Sequence, residues 1–191
     1  MAEIQPYIPR LLPLQGDLES KGVLKKVVEA NKALAELKGA ARSIPNQSIL
    51  INALALQEAK DSSEIENIVT THDELYRATV STSNISNNTK EVQRYREALY
   101  RGFTLVTDNQ LLLKKHIVEI QQVLENNNAG IRIQSGTMLK NEKSGEIIYI
   151  PPQNHQDIQN LMDNLEQYIN TPAMDDYDYL VKMAVIHYQF E

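Results

Sequence analysis

Apolar residues recur at helical intervals through the first half of the chain. From Asp17 onward the spacing predicts a helix that Pro45 ends or follows. The buried face predicted for this helix consists of Leu24, Val27, Val28, Leu34 and Leu37. A second helical run begins near residues 46–48, turns Leu50, Leu54 and Ala55 inward, and fades at 60–61. This half is therefore predicted to be helical.

Before the first helix, residues 1–16 read as an extended arm. Pro6, Pro9 and Pro13 each fix φ and remove a backbone donor, which disfavours a helix here. The arm is predicted to lie on the body of the protein through its apolar residues Ile8, Leu11, Leu12 and Leu14.

A polar segment, SNISNNTK at 83–90, predicts a loop before two further helices. The inward positions of the first are Val92, Tyr95, Leu99, Phe103 and Val106. Asp108 or Asn109 is available to cap the second, which ends at ENNNAG. The inward positions of the second are Leu113, Ile117, Ile120 and Leu124.

The periodicity changes at residue 131. IRIQSGTMLKNEKSGEIIYIPP carries β-branched runs at both ends and predicts a β-hairpin whose turn lies at 141–145. Its edge could pair with an extended peptide, or the hairpin could simply pack on the helices. Two helices follow, with inward positions Ile158, Leu161, Met162, Leu165 and Ile169 in one, and Tyr177, Leu180, Ala184 and His187 in the other. The predicted fold class is mostly α, with one β-hairpin.

Composition narrows the function classes. The 191 residues include 19 basic and 25 acidic side chains, a net charge of −6, which disfavours a surface for nucleic acid phosphates. The absence of cysteine excludes disulfides, thiolate metal sites and cysteine nucleophiles. No signal peptide or membrane-spanning run is visible, because the longest apolar segment, ILINALALQ, is too short. We expect a cytoplasmic protein that contacts neither nucleic acid nor membrane.

Residue types alone indicate no complete active site. The chain has no GxxxxGK[ST], GxGxxG or GxSxG pattern. Its four histidines lack the paired spacing of a zinc site. Two of them, His116 and His155, are predicted to be surface or capping groups, and His187 to be a core histidine.

KDSSEIENIV, at 60–69, admits two interpretations. With Ser63 as N-cap, Glu66 falls at the third helical position, which is a capping box; Ser62 or Asp61 are alternative caps. The stretch also fits the pattern [S/T]xxxE[G/N], and in this respect it resembles the inhibitory helix of Fic proteins. LINALALQEAKDSSEIENIVTT, EVQRYREALYRGF, GEIIYIPP and VKMAVIHYQFE resemble further Fic segments and occur in the family's order.

The resemblance implies a Fic-like helical bundle with two parts. Residues 1–105 would be the N-terminal helical region, with the inhibitory helix near 62–70, and 106–191 the first part of the catalytic core, with a flap hairpin at 131–150. The family's motif HPFx[D/E]GNGRxxR does not occur in the chain. We therefore expect the N-terminal part of a longer protein, or the product of a truncated reading frame, inactive by itself.

The resemblance also implies roles for particular residues. The inhibitory residues would be Ser62, Glu66 and Asn67, and Ser63 would contact the nucleotide. The residues that position the target would be Gly136, Thr137, Ile147, Ile148 and Tyr149. No catalytic residue and no metal ligand is expected within the chain.

The activity implied is transfer of AMP from ATP to a Tyr, Thr or Ser hydroxyl of a target protein, with autoinhibition by Glu66. ATP and Mg²⁺ would be required, and the Mg²⁺ ligand would lie in the missing motif. A homodimer is an expected assembly, because surface pairing is common in the family. The alternative is a non-catalytic helical module that binds or regulates a partner.

Overall fold

The structure, a computed structural model, describes residues 5–45, 47–65, 67–80, 85–141 and 143–190. Within these ranges the chain is largely helical, with one 3-10 turn and a small antiparallel sheet. The elements are α1 (Lys21–Ala41), α2 (Gln47–Ile65), α3 (His72–Val80), α4 (Asn87–Asn109), α5 (Lys114–Glu125), β1 (Leu139–Lys140), β2 (Ile147–Tyr149), α6 (His155–Asn170) and α7 (Tyr179–Phe190). The predicted mostly α fold with a β-hairpin is confirmed.

The chain divides into two compact units. The first unit combines the residues up to 34 with those from 131 onward, and the second unit spans 35–130. Helix α1 contributes residues to both. The boundary predicted at 105/106 concerns family segments rather than compact units, and it stays a prediction.

The core of the first unit joins the N-terminal arm to α6 and α7. Leu12 is 3% exposed and packs with Leu165, Tyr168 and Val185. The Asn164 side chain accepts from the Leu12 N–H at 2.7 Å and donates to the Leu12 carbonyl oxygen at 2.9 Å, so it satisfies the backbone of a segment outside any sheet. The prediction that the arm lies on the body is therefore confirmed at Leu12. Two apolar residues closer to the N-terminus are exposed instead: Ile8 and Leu11.

A buried ion pair lies beside this core. Lys182 Nζ is 3.9 Å from Asp175 Oδ1 and 4.4 Å from the centre of the Tyr168 ring, and both charged side chains are more than nine-tenths buried. Burial raises the pKa of Tyr168, and the neighbouring Asp175 carboxylate raises it further. The charge of Lys182 is thus balanced by one carboxylate and one aromatic face.

The buried face of α7 differs from the predicted one. The predicted positions Ala184 and His187 are exposed, so the assignment of His187 as a core histidine was wrong. The residues that α7 does bury are Val181, Lys182, Val185 and Gln189. The helical period by itself does not predict a buried lysine, and Lys182 faces inward where Asp175 lies beside it.

Helix α1 also departs from the prediction, because none of its residues is buried. Four of the five positions predicted to be inward are between 43% and 69% exposed: Leu24, Val28, Leu34 and Leu37. The fifth, Val27, lies with Val23 and Ala30 in an open apolar groove of about 710 Å³ beside α7. An amphipathic pattern shows that a face is apolar, but it does not show that this chain covers that face.

The second unit is centred on α2, α3 and α4. Its buried core comprises Leu56, Ala59, Leu75 and Val92. Helix α4 begins at Asn87, inside the predicted loop, because the Ser86 side chain caps it by accepting from the Thr89 N–H at 3.1 Å. Three positions of α4 predicted to be inward are exposed: Leu99, Phe103 and Val106.

The junction from α4 to α5 also corrects the prediction. Asp108 and Asn109 continue α4 rather than capping α5. Instead, the His116 ring accepts from the Leu113 N–H through Nδ1 at 3.3 Å, and His116 is only 2% exposed. The capping role predicted for His116 is confirmed, whereas a surface location was wrong. The other predicted capping histidine, His155, is the first residue of α6.

Candidate functional site

The stretch from Ser62 to Asn67 ends a helix rather than starting one. The Ile68 N–H donates to the Ser63 carbonyl oxygen at 2.9 Å, and the Asn67 N–H donates to the Glu64 carbonyl oxygen at 3.1 Å. This pair of bonds is the Schellman pattern that closes helix C-termini. Asn67 has φ +64°, the left-handed conformation that the pattern requires after the last helical turn. The capping box predicted with Ser63 as N-cap was therefore wrong.

The two serines occupy different environments within the last turns of α2. The Ser62 hydroxyl donates to Glu58 Oε1 at 2.7 Å. Ser63 is 4% exposed. Its predicted contact with the nucleotide stays a prediction, and it would require an approach to a residue that α2 buries. Glu66, the predicted inhibitory residue, lies outside the described residues.

A capping box does occur eight residues further along, at the start of α3. The Thr71 N–H donates to Glu74 Oε2 at 2.9 Å, and the Glu74 N–H donates to Thr71 Oγ1 at 3.2 Å. The Thr71 N–H holds the pKa of the Glu74 carboxyl below its usual value, and the Thr71 and Thr70 hydroxyls add to this effect. The TxxE spacing at 71–74 was the signal that sequence reasoning missed. Of the helix predicted near 62–70, residues 62–65 are helical as the last turn of α2, which ends at Ile65, whereas 67–70 are not, since α3 begins only at His72.

The connection between α2 and α3 is attached to the start of α4. Buried Thr70 and Thr89 join their hydroxyls at 2.8 Å. Asn88 Nδ2 donates to the Val69 carbonyl oxygen at 3.0 Å. The backbone that follows SSEIEN (residues 62–67) is therefore held by hydrogen bonds within the second unit.

The hairpin of the first unit is shorter than predicted. Its turn lies as predicted, since the Gly145 N–H donates to the Asn141 carbonyl oxygen and the Asn141 N–H to the Glu146 carbonyl oxygen, both at 2.8 Å. Leu139 pairs with Tyr149 across the two strands. Residues 131–138 form no strand, so the β-branched run at Ile131–Ile133 was misread. It precedes the ladder rather than belonging to it.

Gln153 is a structural residue of the hairpin that sequence reasoning missed. Its Oε1 accepts from the Gly136 N–H at 2.6 Å, and its Nε2 donates to the Thr137 carbonyl oxygen at 3.0 Å. The same Nε2 donates to the Pro151 carbonyl oxygen at 2.6 Å. One carboxamide thus holds the irregular segment around Gly136 against the end of β2, where the segment has no strand partner.

Three further predicted target-positioning residues form β2 itself. Ile148 is 58% exposed, whereas Ile147 and Tyr149 are half-buried. The Tyr149 ring lies 6.1 Å from the ring of Tyr7 in the N-terminal arm. Tyr7 shares a hydroxyl hydrogen bond of 3.2 Å with Tyr188, which raises the pKa of Tyr7. The hairpin therefore meets the arm, and the arm meets α7, within one compact unit.

The described part of the chain shows no group of three His, Cys, Asp or Glu side chains arranged to hold a metal ion. None of the described helices is both long and apolar enough to cross a membrane.

Residues 24–104 match the sequence model described as the Fic/DOC family N-terminal region. This part of the chain is a Fic N-terminal region. It runs from within α1 to within α4 and includes the whole SSEIEN stretch and the capping box after it. The hairpin, α6 and α7 lie outside the matched residues.

The geometry of the Fic N-terminal region leads to a test at Asn67. Because φ is +64° there, Asn67→Gly should leave the free energy of unfolding within a few tenths of a kcal/mol, whereas Asn67→Val should lower it by about 1–2 kcal/mol. Urea denaturation followed by circular dichroism measures both. Equal stability of the glycine and valine variants would contradict a left-handed conformation at this position.

Proposed function

We propose that the chain is the regulatory and flap-bearing part of a Fic protein that transfers AMP from ATP to a hydroxyl side chain of a target protein. The observation that carries the proposal is the position of SSEIEN within the matched residues, at a helix C-terminus where Asn67 adopts the left-handed conformation. A pattern that allows only Gly or Asn at its last position suits that backbone.

In this proposal Glu66 holds the enzyme inactive by occupying an arginine of the catalytic motif, which the chain does not contain. A carboxylate pairs with a guanidinium through two parallel hydrogen bonds. An arginine engaged in this way could not orient the γ-phosphate of ATP. Because positioning dominates phosphoryl-type transfer, a displaced phosphate would suppress the rate strongly.

The chain's own contacts support this role for the residues on either side of Glu66. The Schellman bonds fix Ser63, Glu64 and Asn67, and the bond between Thr70 and Thr89 fixes the exit from the helix. The Mg²⁺ ligand and the catalytic base are assigned to the missing motif, and no step is assigned to them here.

The hairpin is proposed to hold the target by strand addition. Leu139, Lys140 and Ile148 are exposed, and an uncovered strand offers backbone N–H and C=O groups to an extended peptide. This mode of binding depends mainly on the backbone, so it accepts many target sequences.

The test is incorporation of label from ATP labelled at the α-phosphate. The 191-residue chain alone should transfer no AMP, because it contains no HPFx[D/E]GNGRxxR motif. A protein in which the same residues continue through that motif should label itself or a target, and replacing the motif histidine by alanine should abolish this labelling. Robust transfer by the 191-residue chain would overturn the assignment.

One observation favours the alternative of a non-catalytic interaction module. Helix α1 exposes five large apolar residues along 21 positions, which is typical of a helix that meets a partner. If the protein that continues through the motif transfers no AMP, while alanine at Leu24 and Val28 abolishes capture of a partner, the module is the better description.

A further inference from the structure

The N-terminal arm occupies one end of the hairpin. The Tyr7 N–H donates to the carbonyl oxygen of Ile150, the first residue after β2, at 2.8 Å. The Tyr7 ring meets Tyr149, and its hydroxyl meets Tyr188. A segment of the chain itself thus lies where the first residue of an added strand would pair.

The arm is poorly suited to continue this pairing. Along an extended segment, N–H groups two residues apart point to the same side. Two residues after Tyr7 stands Pro9, which has no N–H, so the arm cannot make the next bond on that side. A segment with an ordinary residue there could make both bonds.

The outer arm is also separable from the core. Tyr7, Ile8 and Leu11 are 44%, 58% and 61% exposed, whereas Leu12 is 3% exposed and is held by Asn164. Residues 5–11 could therefore leave the hairpin while Leu12 stays in place.

Gln189 provides a second, independent observation. It is 9% exposed, yet neither polar atom of its carboxamide has a hydrogen-bond partner among the described residues. It lines a cavity of about 250 Å³ together with Tyr7, Pro9, Tyr149 and Tyr188. An unpaired buried amide is unfavourable, and this one offers both N–H donors and a carbonyl acceptor, the complement of a peptide group.

From these contacts we propose that the pocket is a docking position for one extended peptide segment, and that residues 5–11 are an intramolecular placeholder which the segment displaces. The segment has a free N–H where the arm has Pro9, and it offers a peptide group to Gln189. The inference rests on the proposed function in one respect only, because it takes the segment to belong to the target of AMP transfer.

The test measures peptide binding by the full chain. The probe is fluorescein-labelled AEIQAYIARL, which is residues 2–11 of the arm with both prolines replaced by alanine. The chain variant Tyr7→Pro removes the N–H that holds the arm to Ile150. The matched control is Ile8→Pro, which alters a neighbouring residue whose N–H makes no bond to the hairpin.

Fluorescence anisotropy should show the probe binding to Tyr7→Pro at least about fivefold more tightly than to the wild type, because the competing arm loses its backbone hydrogen bond to Ile150 together with the ring and hydroxyl contacts of Tyr7. Ile8→Pro should resemble the wild type. Gln189→Leu in the Tyr7→Pro chain should weaken binding about fivefold, and the labelled peptide with its natural prolines should bind more weakly than the probe.

Equal affinity for the wild type and Tyr7→Pro would overturn the placeholder. Unchanged binding after Gln189→Leu, or no binding by any variant, would overturn the docking position. Circular dichroism of each variant establishes that it is folded. No AMP transfer is measured, so a failure of the proposed enzymatic activity would leave this result standing, and a failure here would leave that activity standing.

Discussion

Replacing Glu66 by glycine is expected to raise AMP transfer roughly ten- to a hundredfold in the protein that continues through the catalytic motif. The physical reason is release of the motif arginine, which could then orient the γ-phosphate instead of pairing with a carboxylate. Initial rates of label incorporation from ATP, with the protein itself as acceptor, measure the change.

Glu64→Gly is the matched control for this variant. Glu64 lies in the last turn of α2, where its carboxylate pairs with Lys60 at 2.9 Å. The Glu64→Gly variant loses a glutamate side chain two residues from Glu66, while the backbone carbonyl oxygen of residue 64 can still accept from the Asn67 N–H. We expect no increase in rate from Glu64→Gly. Equal rates for the wild type and Glu66→Gly, or a similar increase in both variants, would refute inhibition by Glu66.

The largest expected loss of stability follows from Asp175→Ala. This change leaves Lys182 buried without its carboxylate, and removing one partner of a buried ion pair costs about 3–5 kcal/mol. The face of Tyr168 compensates only part of the lost interaction. Chemical denaturation of the 191-residue chain, monitored by circular dichroism, measures the free energy of unfolding.

Two further variants separate charge burial from a general sensitivity of the fold. Asp175→Ala combined with Lys182→Met should recover most of the lost stability, because no unpaired charge remains buried. Glu29→Ala breaks an exposed pair with Lys26 in the same unit and should cost less than about 1 kcal/mol. Equal losses for Asp175→Ala and Glu29→Ala would show that the buried pair has no special role.

Helical periodicity identified the elements better than their buried faces. The helices around Leu165 and Val92 were anticipated, and those two residues are buried. In α7, however, Lys182 and Gln189 turn inward while Ala184 turns outward. The burial of Lys182 depends on a partner that offsets its desolvation, and that partner, Asp175, lies outside the helix that carries Lys182.

The candidate site shows the same division. The pattern from Ser62 to Asn67 was visible in the sequence, and so was the special position of its last residue. Whether a helix begins or ends there was not visible, because SxxE at 63–66 and TxxE at 71–74 match the capping-box pattern equally well. Only Thr71–Glu74 forms one.

The sequence by itself determined the helical class, the hairpin turn between Asn141 and Gly145, and the resemblance that the family match over 24–104 bears out. Each of these depends on short-range chemistry: periodicity, glycine and asparagine conformations, and local motifs. Only the tertiary structure decided which faces are covered, that Gln153 holds the segment around Gly136, and that Tyr7 meets the end of β2. The two hydrogen bonds join residues 17 and 143 positions apart, and a local pattern carries no information about the partner that burial or a hydrogen bond requires.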